Sequence, residues 1–190
     1  MARLNGRAHL IVVGALAAQR LAEVGWSARN LRRSGPGKRA SAQTFPLMVA
    51  ANVALFVVPV TVRYRRPAPP RVVQAVSLAG IAAAAFLRLW VIRTLGESWN
   101  VQAHVPAQLR PITSGPYRWI RHPNYVAVAL EFACVPMFLG GYVEAIGLSA
   151  ANAAVLAPRI RQEEALLDAV PGYREAFANQ PRFVPRLRAG

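Results

Sequence analysis

The chain has 190 residues, 54% of them hydrophobic and 16% charged, with one cysteine and a formal net charge of +15. That length allows one domain, and the single cysteine, Cys134, excludes a disulfide framework and a thiolate metal site. Lys plus Arg outnumber Asp plus Glu by 23 to 8. The balance suits nucleic acid or an anionic membrane surface, but the arginines gather between apolar runs instead of lining one polar face, which argues against nucleic acid and for a polytopic membrane protein.

Residues 8–25 are apolar and long enough to cross a bilayer, which takes about 20 helical residues. They lack a small-residue cleavage site and lead into Arg29-Asn30-Leu31-Arg32-Arg33, so no cleaved signal peptide is expected. Arg20 and Glu23 stand three apart and can pair on one helix face. Arg20 is read as snorkelling to the interface, in preference to facing a cavity. Residues 26–44 form a polar loop that turns at Ser34-Gly35-Pro36-Gly37. Residues 45–62 are the second span. A stiff link, with Pro67, Pro69 and Pro70 among arginines, leads to the third, 72–93, whose alanines suit close packing in lipid. Arg88 near its end can snorkel as well.

Residues 94–122 are too polar to span and too long for an idle turn. They hold Glu97, Trp99, Asn100, Gln102 and His104, and they run into Ser-Gly-Pro-Tyr-Arg-Trp-Ile-Arg-His-Pro-Asn-Tyr, from Ser114 to Tyr125. Pro123 predicts a helix start, because proline at the first helical position removes a donor that would have been an orphan. His122 then stands at the N-terminal end, where backbone donors can receive an anion. The same stretch also reads as an interfacial loop anchored by aromatic rings and arginines. Residues 123–139 and 142–158 are two further spans, joined at Gly140-Gly141 by a tight hairpin. After Pro158, Arg159 and Glu163 fall at i and i+4 on one helix face. As a surface ion pair they would be worth only about 0.3–0.5 kcal/mol. Pro171-Gly172 breaks that helix, and residues 173–178 can add another turn.

The arginine count orients the chain. The 26–44 loop, the 94–122 connection with Arg93, and the C-terminal tail carry 15 basic residues; the N-terminus and the 63–71 link carry 6. The asymmetry places the connection and the tail together on the cytoplasmic side. Glu131 lies about 12 Å along the fourth helix from Pro123. An ionisable group at that depth has either a partner or a functional role. Glu131 either pairs with Arg20 or Arg88, or serves as a base. Glu144, at the hairpin, is read as interfacial.

The ordered pair Gly115-Pro116-Tyr117 with Arg121-His122-Pro123-Asn124-Tyr125, then Arg159-Ile160 with Glu163-Glu164 and Leu167, resembles the isoprenylcysteine carboxyl methyltransferase family of integral-membrane enzymes. A short apolar hairpin separates the two parts in the family's manner, and the likeness covers residues 94–185. Arg-His-Pro alone is weak; the ordered combination is specific. Gln19-Arg20-Leu21-Ala22-Glu23 and Ser27-Ala28-Arg29-Asn30 look like a bacterial branch often associated with long-chain polyketide products. The resemblance implies S-adenosyl-L-methionine as methyl donor. It carries the cofactor contacts onto Gln102, Leu109, Arg110, Pro111, Ile112, Tyr117, His122, Pro123, Asn124, Tyr125 and Glu163, and an acceptor-side arginine onto Arg159. Many relatives have histidine where this chain has Leu109, so a side-chain contact is lost there while a backbone contact survives. No Gly-x-Gly-x-x-Gly loop follows a strand, so the soluble nucleotide-binding fold is not expected.

The residue chemistry agrees with that implication. Glu163 can accept from ribose hydroxyls or an ammonium, and Tyr117, Trp119 and Tyr125 offer aromatic faces to adenine or a sulfonium. Arg159 offers a fork of donors to an acidic acceptor oxygen, and a long apolar tail could enter from lipid. The expected architecture is an all-α, single-domain, five-span protein of a bacterial inner membrane. Segments 94–125 and 159–185 form its cytoplasmic cofactor pocket. Arg159 and Glu131 are its candidate catalytic residues, and no metal is expected. The expected activity is O-methylation of a lipophilic small molecule or a prenylated cysteine carboxylate. Phospholipid N-methylation and a non-catalytic transporter or scaffold are the alternatives.

Overall fold

The computed structural model of the chain describes residues 6–39, 44–63, 67–106 and 109–186. Of the basic residues counted above, Arg3, Arg65, Arg66 and Arg188 lie outside the described residues, as do positions 40–43 and 107–108 of the two polar segments. Six α-helices follow one another: α1 (Gly6–Arg33), α2 (Thr44–Arg63), α3 (Arg71–Leu95), α4 (Pro123–Phe138), α5 (Tyr142–Leu167) and the single turn α6 (Tyr173–Ala176). Two three-residue strands, β1 (Gly37–Arg39) and β2 (His104–Pro106), pair antiparallel, with Lys38 opposite Val105. The fold is mostly helical, as expected, with this one short strand pair added. Strands this short have no periodicity to read, and these two lie far apart in sequence. Gly37 permits the pairing, because a Cβ there would meet the Val105 carbonyl and the His104 ring.

α4 lies between α3 and α5, and α2 packs on α5 and α4. Gly80 of α3 sits directly against the Cys134 sulfur of α4, the small-residue contact that lets two helices approach closely in lipid. Leu55, Phe132, Val135, Phe138 and Leu139 fill the centre, with Ile81 and Leu156 beside them. Outside, Leu21, Val53, Phe86 and Ile146 are each more than half exposed. Such a surface would drive aggregation in water and is the natural one against hydrocarbon. Among the described residues, three helices are long and apolar enough to cross a membrane: Ala8–Arg33, Thr44–Thr61 and Arg71–Ser98. α4 is apolar but only 16 residues long, and α5 keeps its apolar stretch in its first half.

Two boundaries differ from the sequence reading. α1 does not stop before a loop at residue 26 but continues to Arg33. Glu23, Ser27 and Asn30, at helical spacing, are all buried on its inner face, so its polar end is packed and not solvated. α5 likewise does not end at Pro158; the proline lies inside one continuous rod. Proline removes one backbone donor, but here it does not stop the helix, so Arg159 and Glu163 project from an extension of the membrane helix itself. As expected, α4 begins at Pro123, with His122 as its N-cap, and Leu139–Gly141 makes the hairpin.

The Ser114-Gly115-Pro116 turn closes onto α3. Gly115 has φ of 57°, and a Cβ there would meet the Thr94 side chain and stand 3.1 Å from the Trp90 Nε1. Backbone conformation and space both require glycine. Gly115→Ala should cost more than about 1 kcal/mol, read as a lowered thermal midpoint in detergent. Adding Thr94→Ala should recover only part of the loss, because the backbone strain stays; full recovery would show that crowding alone was responsible.

Candidate active site

The connection between α3 and α4 is fastened from below by the membrane helices. Asn30 of α1 donates its amide to the Gly96 carbonyl at 3.0 Å and the Trp99 carbonyl at 2.7 Å. The Val101 N–H donates to the Ser27 hydroxyl at 3.0 Å. Arg159 of α5 donates Nη2 to the Val101 carbonyl at 2.6 Å. Asn100 folds the loop on itself, accepting from the His104 N–H at 2.7 Å and donating to the His104 carbonyl at 3.0 Å. Buried backbone groups that sheet or helix would have satisfied are thus satisfied by side chains.

Above this loop, Tyr125 of α4 donates its hydroxyl to Glu163, and Arg159 stands beside the same phenol. Arg159 and Glu163 therefore do not pair with each other at the surface. Arg159 is buried, 2% exposed, and each engages a different partner. Tyr117 and Tyr173 also face Glu163. Burial, with that carboxylate added, pushes both phenols well above the ordinary tyrosine range and keeps them neutral. His122 directs Nε2 to Glu164 at 3.0 Å. Arg182 grips the same carboxylate with two donors, at 2.8 and 2.6 Å. The backbone N–H groups of Arg121 and His122 donate to the Pro181 and Arg182 carbonyls, and Phe183 packs on the His122 ring. Residues 181–183 thus strap the α4 N-terminus to α5.

Deeper lies a buried ion network. Arg20 of α1 pairs with Glu131 of α4 and, at 3.0 Å, with Glu23. Arg88 of α3 donates to Glu23 at 2.6 Å and to the Asn124 side-chain oxygen at 2.9 Å. Arg20 and Arg88 do not snorkel, contrary to the sequence reading. Carboxylates inside the bundle hold them there, and an unpaired charge at this depth would be costly.

Network and loop enclose one cavity of about 460 Å³, within the usual range for small-molecule sites. Of the residues assigned by resemblance, Leu109, Arg110, Pro111, Ile112, Tyr117, His122, Asn124, Tyr125, Glu163 and Arg159 line it. Gln102 and Pro123 do not, and neither does Glu131, the candidate singled out by its depth in the fourth helix. Glu131 reaches it only through Arg20, and the Asn124 side-chain oxygen is occupied by Arg88. Trp119 points away, 44% exposed and edge-on to Trp90 at 5.4 Å, so it offers no ring to the site. Sequence reasoning missed Asn52, Asn152, Tyr173 and Phe177 in the lining. Asn152 had a visible signal: it lies seven residues before Arg159, on the same helix face. The lining leaves buried donors and acceptors open. Arg159 Nε and Nη1, His104 Nδ1 and Arg121 Nε meet no hydrogen-bond partner among the described residues. With the Glu163 carboxylate nearby, this donor and acceptor set fits the carboxylate, ammonium and hydroxyls of S-adenosyl-L-methionine.

Lipid-facing helices around a polar-ended cavity, closed by a fastened loop at one end of the bundle, are the build of an integral-membrane protein with an internal small-molecule site. Residues 75–169 match the isoprenylcysteine carboxyl methyltransferase (ICMT) family, and the chain belongs to it. The family is one of membrane methyltransferases, and S-adenosylmethionine is its methyl donor. Over 89 residues the chain is 36% identical to an uncharacterised protein, YpbQ, of Bacillus subtilis (strain 168). The matched stretch is 47% of this chain and 53% of YpbQ, so the chain spans about half the length of that curated relative.

The strap has a pH signature. Burial opposes ionisation of Glu164, but hydrogen bonds from His122 and Arg182 outweigh it and hold its carboxyl below the ordinary 4.5. A depressed carboxyl stabilises the fold above its unfolded pKa, and that contribution is lost as pH falls through the folded value. The stability gap between wild type and Glu164→Gln should be about 1 kcal/mol and flat above pH ~5, then shrink toward zero on acidification. Thermal melts across pH read it; a gap that widens in acid refutes the assignment.

Proposed function

We propose that the protein transfers a methyl group from S-adenosyl-L-methionine to an acidic oxygen on a lipophilic acceptor that enters from the bilayer. One observation carries the reading: a single cavity joins the Glu163–Tyr125–Arg159 end to an apolar wall between α1 and α2. Its lining includes Leu21, Val24, Val49 and Val53, whose other surfaces face outward. A polar cofactor and an apolar tail thus share one chamber.

When bound, S-adenosyl-L-methionine supplies a methyl carbon already activated by its sulfonium, so the protein's work is positioning and electrostatics. Glu163, held by the Tyr125 hydroxyl, accepts from ribose hydroxyls or the ammonium group. The backbone and side chains of residues 109–112, with Tyr117, form the wall against the nucleoside. Arg159 keeps one donor on Val101 and turns Nε and Nη1 to the acceptor oxygen. Beside that guanidinium the oxygen stays anionic, so an acidic acceptor needs no further base. Glu131 takes the positioning alternative: it holds Arg20 at the cavity wall. The proposal includes five spans, with α4 and the first half of α5 completing the three longer ones, in a bacterial inner membrane with the site on the cytoplasmic side.

Two experiments test it. S-adenosylhomocysteine should bind the detergent-solubilised protein in a calorimetric titration. Glu163→Ala should lose about 10- to 100-fold in that affinity, the worth of a charged hydrogen bond. Arg159→Ala should keep it within a few-fold yet lose transfer of labelled methyl to a membrane lipid extract, with Arg159→Lys rescuing poorly because a point charge lacks the fork. Equal loss of affinity in both alanine variants would mean the two residues act as one structural unit. Methyl appearing on nitrogen would favour the phospholipid reading. For topology, in a background lacking Cys134, cysteine at Ala178 should label only from the cytoplasm and cysteine at Arg71 only from outside; the reverse pattern inverts the protein.

A further inference from the structure

The inner end of the cavity is not the greasy slot that a plain hydrocarbon tail requires. Asn152 of α5 is buried, 4% exposed, and lines the cavity. It makes no hydrogen bond among the described residues. It lies seven residues from Arg159 on the same helix face, about 10 Å deeper along the axis, with Leu156 between them on the wall. Asn52 of α2, the helix that packs on α5, lines the cavity as well. Its amide donates to the Met48 carbonyl at 2.9 Å, which uses one of its donors and leaves its oxygen unbonded among the described residues. Both asparagines stand in otherwise apolar stretches. Open amide groups at membrane depth are costly, and a wall meant only for methylene groups would not carry both the Asn152 side chain and the unbonded Asn52 oxygen.

The charge around them is balanced. Arg20, Glu23 and Arg88 reach the same cavity, but with Glu131 they form two cations and two anions, all paired. The inner station therefore offers hydrogen bonds and no net charge. We propose that Asn152, with Asn52, is a specificity subsite for an uncharged hydrogen-bonding group, a keto, hydroxyl or amide function, carried within the acceptor below its methylated oxygen. The acceptor class narrows accordingly, to an amphiphile with an acidic oxygen at Arg159, a second neutral polar group about two helical turns deeper, and an apolar remainder leaving between α1 and α2. This inference rests on the methyltransferase reading for the placement of the acidic oxygen at Arg159.

The test uses the full chain in detergent and compares hexadecanoic acid with hexadecanoic acids bearing one keto group at each position from C5 to C10. Affinity is followed by the shift in thermal midpoint with probe concentration. In the wild type one keto position, or two adjacent ones, should bind about two- to tenfold more tightly than hexadecanoic acid, the worth of a neutral hydrogen bond. In Asn152→Leu that advantage should vanish while hexadecanoic acid binds as well or better. A flat positional scan in the wild type overturns the subsite, and this arm needs no variant. A preference that persists in Asn152→Leu overturns the assignment to Asn152. S-adenosylhomocysteine binding is titrated in parallel: wild type and Asn152→Leu should bind it alike. Absence of that binding in the wild type would sink the methyltransferase reading, whereas a flat scan with intact binding sinks only the subsite.

Discussion

Two arginines and two glutamates paired inside a lipid-facing bundle are the constraint from which the rest of the arrangement follows. Each charge is expensive to bury alone, by several kcal/mol even after relaxation. Removing one partner of such a pair costs about 3–5 kcal/mol because the other is left exposed to a low dielectric. The four are therefore obliged to meet, and their meeting ties α1 to α3 through Glu23 and Arg88, and α1 to α4 through Arg20 and Glu131. Arg88 extends the chain of contacts to Asn124, and the next residue, Tyr125, holds Glu163 of α5. A continuous run of polar contacts thus links membrane-depth packing to the end of the bundle where Tyr125, Arg159 and Glu163 converge.

The same need to satisfy buried polar groups explains the loop above. A 27-residue connection between α3 and α4 would be a poor platform for chemistry if its backbone were free to seek water. Here Asn30, Ser27 and Arg159 reach up from the helices to its backbone, and β2 pairs with β1 at its side. The strap from residues 181–183 secures the far end through backbone bonds and the His122–Glu164–Arg182 contact. Loop and strap borrow rigidity from elements anchored in the membrane. That is why a pocket with few regular strands can hold Arg159 and Glu163 in fixed and different contacts.

A gradient of polarity runs through the cavity. At its mouth stand phenols kept neutral around one carboxylate, and a guanidinium with open donors. Further in are amides and a balanced ion network, and toward the α1–α2 seam the wall is apolar, with Leu21, Val24, Val49 and Val53. The proposed amphiphilic acceptor would fit such a gradient in one orientation only, since turning it round would put its acidic oxygen against apolar walls.

Much of this was legible in the sequence because it is written locally. Twenty-residue apolar runs, arginine asymmetry, proline at a helix start, glycine pairs at a hairpin and an i, i+4 Arg–Glu spacing each act over a few residues, and their physical meaning does not depend on the rest of the chain. So helices α2, α3 and α4, the hairpin at Gly140-Gly141, the family likeness and most of the lining from Leu109 to Glu163 could be read in advance. Tertiary structure decided what depended on partners distant in sequence. Arg20 and Arg88 look like snorkelling residues until Glu131 and Glu23 are brought beside them. Residues 26–33 look like a loop until Ser27 and Asn30 find the connection to hold. Three-residue strands exist only as a pair. Burial of a polar group is decided by whether another group arrives to satisfy it, and that arrival is a property of the packed bundle and not of any stretch of the chain.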